Sequence, residues 1–181
     1  MVTLNKHELG WRQAFVNEAA NIRSRLGNRA LRVDHVGSTS IRGLAAKPVI
    51  DIQVSLASLE PRPSLLEELA ALGYKHVNLG RFDSIYPFFA KPGVWPCTHH
   101  VHLCVVGSQQ ERDHLAFRDY LRLNSLAAAE YEQLKLELAA QHEGTTLESQ
   151  ERYSLSKSAF IMSVLASASL QGLPSLASSD G

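Results

Sequence analysis

The chain has 181 residues, 45% of them hydrophobic, and its 18 basic and 18 acidic side chains cancel to a formal net charge of zero. That length and apolar share suffice for one domain with a sizeable core, and the balanced charge argues against a general electrostatic grip on nucleic acid or an anionic membrane, though a local basic pocket stays open. The opening MVTLNKHELGWRQAF has no apolar run or small-residue cleavage site, no later run approaches a membrane span, and Cys97 and Cys104 form neither a disulfide framework nor a CxxC motif, so the expected setting is the cytoplasm with both thiols reduced and structural.

Trp11, Phe15, Ala19, Ile22 and Leu26 recur at steps of four and three, which predicts an amphipathic helix that stops at Gly27. Leu31 to Val36 reads as a strand, Gly37-Ser38 as a sharp turn, and Val49 to Leu56 as a second strand entered through Pro48. Ser64 and Glu67 are spaced as a capping box and predict a helix from there to Gly73. Tyr74 to Val77 and Tyr86 to Ala90 are candidate strands, and the turn Lys91-Pro92-Gly93 leads into Thr98 to Val106 as an antiparallel hairpin. From Gln109 onward the pattern is helical. Leu123, Ala127, Tyr131, Leu134 and Leu138 share a face, Asn124 marks a break, and a last helix spans Leu147 to about Ser169. The sum is a single domain over 1–170 of α+β or α/β class, a mixed sheet flanked by helices, with a frayed tail over 171–181.

The chemistry-bearing residues cluster around the turn. Gly37 permits a close backbone approach to phosphate, and Ser38, Thr39 and Ser40 add hydroxyl donors. Period-two alternation puts Val49, Asp51 and Gln53 on one strand face and Ile50, Ile52 and Val54 on the other, so Asp51 is free to face a cleft. Read alone, the same residues also fit an ordinary turn and a buried acid bonded to backbone or to Lys47. His100 and His102 share a face of the later strand and could bind a transition metal or contact phosphate. His114, Arg118 and Arg122 form a stripe one turn apart on a helix, and Tyr153 and Lys157 are one turn apart on the last helix. Of the loop cations, Lys47 ranks above Arg42 because it directly precedes the strand.

Taken whole, VGSTSIRGLAAKPVIDI at 36–52, THHVHL at 98–103, HLAFRDYLR at 114–122, and Tyr153, Lys157, Phe160 and Ile161 resemble the signature of the GrpB family, relatives of the nucleotidyltransferase superfamily. The resemblance runs from the first helix to the last. It implies a nucleotidyltransferase-like fold in which Gly37, Ser38 and Thr39 contact a nucleoside triphosphate, with Lys47, Arg118 and Lys157 as further phosphate contacts. It also implies a divalent metal held by a strand carboxylate. The superfamily pattern of acid, one residue, acid falls on Asp51 and Gln53, so the second carboxylate is absent. By analogy with the superfamily's third acid, His102 or His100 joins Asp51 in a mixed nitrogen and oxygen site. Such a site suits Mn²⁺ or Zn²⁺ better than Mg²⁺.

The leading expectation is an enzyme that binds a nucleoside triphosphate with a divalent metal (Mg, Mn or Zn) and moves a nucleotidyl group to an unknown acceptor. Asp51 would hold the metal, and His102 would complete the site or act as base. A second reading is a non-catalytic nucleotide-binding accessory or sensor module, favoured by Gln53 and by family members joined to a coenzyme A biosynthetic kinase. A third is a metal-dependent hydrolase built on His99, His100 and His102.

Overall fold

In a computed structural model of the chain the described residues are 2–142 and 147–171. The predicted first helix is α1, Gly10–Leu26, and Gly27 ends it at φ 57°, a left-handed conformation that glycine adopts without strain. β1 (Arg32–Val36) runs into the Gly37 turn, a short 3₁₀ segment at Ser38–Ser40 follows, and β2 (Ile50–Leu56) returns beside β1. Next come α2 (Arg62–Ala70), β3 (Lys75–Val77), β4 (Phe88–Lys91) and β5 (His99–Val105). The remainder is helical: α3 (Gln109–Leu123), α4 (Ser125–Gln141), α5 (Leu147–Leu155) and α6 (Ser158–Leu170).

The five strands form one mixed sheet in the order β1-β2-β5-β4-β3, in which only the central β2–β5 pair is parallel. The fold is therefore α+β, and β4 and β5 make the expected antiparallel pair. Ile50, Ile52, Val54 and Leu56 of β2, with Val101 and Leu103 of β5, pack against Ile22 and Leu26 of α1 and Leu65 and Leu69 of α2. The opposite face is covered by a helical layer with its own apolar core, including Tyr120, Tyr131 and Val164. Asp51, His100 and His102 lie between the two, because alternation along β2 and β5 sends them away from the first core.

Two local expectations are corrected. Ser64 does not cap α2: the helix begins earlier, at Arg62, with Pro63 in its first turn. A proline costs nothing there, since the first N–H groups of a helix have no intrahelical partner. The Ser64 hydroxyl instead accepts a bond from Arg29 at 2.9 Å. The last helix is two helices, broken after Leu155, where Lys157 N–H bonds the carbonyl of Ser154 and the Ser156 hydroxyl competes for that of Arg152. Tyr153 and Lys157 therefore straddle a bend. Asn124 does mark a break, accepting from Ala127 N–H as the N-cap of α4. The tail at 172–181 lies outside the described residues. No described helix is long and apolar enough to cross a membrane.

Candidate functional site

The site starts from the β1–β2 register, which sets Val36 opposite Asp51. Gly37 comes next, at φ 67°, and its backbone lies so close to Asp51 that a Cβ would stand 2.9 Å from both Cβ and Cγ of the acid. Only glycine fits. The Ser40 hydroxyl donates to the Gly37 carbonyl at 2.7 Å and holds the turn, while Ser38 and Tyr131 both line the cleft beside it. Thr39 is buried. Its hydroxyl meets His35 Nε2 at 2.9 Å and donates to the Val49 carbonyl at 3.3 Å, so that group is engaged inside the fold.

The parallel register pairs Asp51 with His100 and Gln53 with His102. His100 Nδ1 is 3.1 Å from Asp51 Oδ1, and His102 Nε2 is 3.9 Å from the same oxygen. Burial favours a neutral Asp51, yet the hydrogen bonds and charge of the two imidazoles hold it well below the usual carboxylate range. Burial likewise opposes a charge on His100, but the Asp51 carboxylate overrides it and raises the ring to about 9. His102 goes the other way, lowered chiefly by burial. The pair is thus ionised while its neighbour is neutral. Tyr86 stacks on the His102 ring at 5.0 Å and its hydroxyl is hydrogen-bonded to His114, which burial pushes down to about 4.

Around this group the sheet and helices enclose a cleft of about 730 Å³. Lys47, Lys135 and Lys157 all line it, as do Trp95 and Cys97, while Asp51 is the single carboxylate among the described lining residues. The lysines sit on aromatic faces: Lys47 and Lys157 at 4.9 and 4.5 Å from the Tyr153 ring centre, and Lys135 at 4.8 Å from that of Tyr131. Burial, together with Lys157, pushes Lys135 down to about 7 despite Glu132, and burial with Lys47 pushes Lys157 to about 8 despite Asp51. Lys47 is also lowered by burial.

The structure thus brings together Gly37, Ser38, Lys47, Asp51, His100, His102 and Lys157. It does not bring Arg118. That guanidinium is spent on its neighbour Asp119 at 2.7 and 3.0 Å, on Asp34 and on the His35 carbonyl, and it does not line the cleft. The stripe on α3 is divided: His114 faces the cleft, and Arg122 holds the Ser40 carbonyl. Gln53 is also absent from the cleft wall, fully buried with its amide donating to the Glu111 carbonyl at 3.4 Å. Sequence reasoning missed Lys135, although a signal existed. It lies four residues after Tyr131 and three before Leu138, a cation on the apolar stripe of α4. Cys97, expected to be structural, lines the cleft instead.

Among the described residues no three or more His, Cys, Asp and Glu side chains form a ready cage for a metal ion. Asp51, His100 and His102 nevertheless supply one carboxylate and two imidazoles around one shared oxygen, a donor set that fits a metal of borderline softness. His100 must first surrender its proton.

A family model described as "GrpB protein" matches residues 1–167. The chain is 39% identical over 136 residues to the UPF0157 protein YqkA of Bacillus subtilis, covering 73% of this chain but only 38% of that protein's length. It is 32% identical over 144 residues to the glutamate-rich protein GrpB of Alkalihalophilus pseudofirmus, covering 78% and 83% of the two chains. The crystal structure of a conserved protein GrpB from Enterococcus faecalis superposes with a TM-score of 0.81 at 34% identity, over 95% of this chain and all of that one.

Proposed function

The chain belongs to the GrpB family, and on that premise we propose that its cleft binds a nucleoside triphosphate with a divalent metal and passes a nucleotidyl group to an acceptor, in a nucleotidyltransferase-like fold. One observation supports the reading: the Gly37 backbone is packed against the Asp51 carboxylate, so that a glycine turn of the kind that can bind anions stands beside an acid held in its ionised form. Gly37 and Ser38 hold the phosphate chain, and Lys47 and Lys157 balance its charge. Asp51, with His102 and a deprotonated His100, would hold the metal, and a divalent ion bound there supplies charge neutralisation at the phosphates. Where His102 is not itself a ligand, burial keeps it neutral and it is the alternative base for the acceptor's proton.

Trp95 lines the cleft whereas Trp11 is buried against the other face of the sheet. Adding a nucleoside triphosphate with Mn²⁺ is therefore expected to change the Trp95 emission, and Trp95→Phe is expected to abolish the change. A signal indifferent to nucleotide up to millimolar concentration sinks the reading.

A second reading, a non-catalytic nucleotide-binding module, draws support from Gln53, which is buried on Glu111 where the superfamily pattern asks for a second acid. Pyrophosphate release separates the two. Binding without release in the presence of Mn²⁺, Mg²⁺ or Zn²⁺ and a broad set of hydroxyl acceptors favours the module.

A further inference from the structure

A second cavity, of about 1040 Å³, adjoins the Ser38–Ser40 turn. Thr39 lines both it and the cleft, so the turn is a wall shared by the two. The remaining walls come from the first two turns of α1, the loop at 40–44, the end of α3 and the start of α4. The chemistry proposed for the cleft makes no use of this space.

Its lining is of two kinds. Ile41, Leu44 and Leu121 are buried and make an apolar floor, whereas Leu9 and Val16, which also line it, are 82% and 48% exposed. Apolar surface left open in a concave wall gains stability when a ligand covers it. Three guanidiniums, those of Arg12, Arg42 and Arg122, line the same cavity. Arg122 donates to the Ser40 carbonyl at 3.2 and 2.9 Å. Arg12 and Arg42 make no hydrogen bond or ion pair with another described residue. Glu132 lines the cavity too, and its carboxylate accepts the Ala45 N–H at 3.3 Å. Neither α1 nor α4, which both begin at this cavity, has an acid in its first turn, so the positive ends of the two helices add to the field of the arginines. A guanidinium fork matches carboxylate or phosphate oxygens, and the volume is near the upper end of the range for small-ligand sites, roughly 300–1,000 Å³.

We infer that this cavity is a second ligand site that takes a small amphiphilic anion, with a carboxylate or phosphate head on Arg12 and Arg42 and an apolar body over Leu9, Phe15 and Val16. The site is separate from the cleft, and the inference stands or falls independently of the nucleotide reading.

The test is a fluorescence titration of the full chain with anilinonaphthalenesulfonate, an anionic head on aromatic rings whose emission rises in apolar surroundings. Phenylnaphthylamine, the same ring system without the sulfonate, is the neutral control. Both titrations are expected to saturate, the anionic dye binding about tenfold more tightly, as gain of a charge-assisted contact does. Arg12→Gln combined with Arg42→Gln should weaken the anionic dye about tenfold and leave the neutral one unchanged. Both arginines are exposed and hold no other described residue, so this variant is expected to keep the native unfolding midpoint. Val16→Ser should weaken both dyes. Octyl phosphate and octanoate are expected to displace the anionic dye where octanol does not, and the stronger of the two identifies the head group. Equal affinity for the two dyes, or a double variant that binds the anionic dye as the native chain does, overturns the inference. So does dye binding that appears only in a chain ending at Gln171, which would assign the cavity to residues 172–181. Affinity that falls as protein concentration rises overturns it as well, by assigning the cavity to a second copy.

Discussion

Gly37 and Asp51 are in mutual contact across the β1–β2 junction, with the glycine at φ 67° and room for no side chain between its Cα and the acid. Gly43 provides the control, since its φ is +86° and nothing lies within 4 Å of an added Cβ. Alanine at Gly43 is therefore expected to lose about 1–2 kcal/mol from left-handed backbone strain alone. Alanine at Gly37 should lose that and roughly 1–3 kcal/mol more from overpacking against Asp51. Denaturant unfolding of the two variants checks this; equal losses would mean that the collision relaxes freely.

The Asp51–His100 pair makes a prediction about one proton. His100 should titrate near 9 by imidazole NMR, against an ordinary value of 6.5. In Asp51→Asn the opposing burial acts with far less resistance, and the resonance should titrate below 6.5. The stability that this raised histidine contributes is complete below pH 6.5 and is lost as pH rises through about 9. Because the same proton blocks metal, Mn²⁺ affinity should rise about tenfold per pH unit between pH 7 and 9. A flat profile there contradicts the assignment.

Acid acts through other histidines. Burial pushes both His35 and His114 down to about 4, so their contribution is present above pH 6.5 and is lost as pH falls toward 4. Each is worth on the order of 2 kcal/mol over that interval. Urea unfolding of His114→Gln should show a shallower acid limb than the native chain, and an unchanged slope would place its titration elsewhere.

Gln53 invites a substitution that sequence logic and structure judge differently. Glutamate there restores the acid-x-acid pattern, but the position is 0% exposed and its amide donates to the Glu111 carbonyl. Gln53→Glu is expected to lose about 2 kcal/mol or more through the broken bond and buried charge, without strengthening metal binding. The new carboxyl would be raised above its unfolded value, so the loss should deepen as pH rises past about 4.3. Metal titration and unfolding of this one variant examine both halves.

Much of the architecture was legible because it rests on periodicity. The four-and-three spacing from Trp11 to Leu26 gave α1, and two-residue alternation put Asp51, His100 and His102 on one side of their strands. Strand adjacency was not legible. Nothing local to Asp51 says that β5 lies beside it in parallel register, and that register creates the ion pair. Arg118 misled because a helical stripe fixes a face and leaves open which acid the guanidinium finds, here its own neighbour Asp119. Lys135 was overlooked because a lysine between apolar positions reads as a solvated residue until the opposing wall is known. The break at Lys157 lacked glycine or proline, the residues that ordinarily announce one.

The central claim is tested most directly by calorimetric titration of the purified chain with ATP, GTP, CTP and UTP in Mn²⁺ or Mg²⁺ and then in chelator, repeated on Asp51→Ala. The account predicts that metal strengthens nucleotide binding in the native chain and that the strengthening vanishes in Asp51→Ala. Nucleotide binding that is equal in the two proteins, or absent from the native chain with either metal, would contradict it.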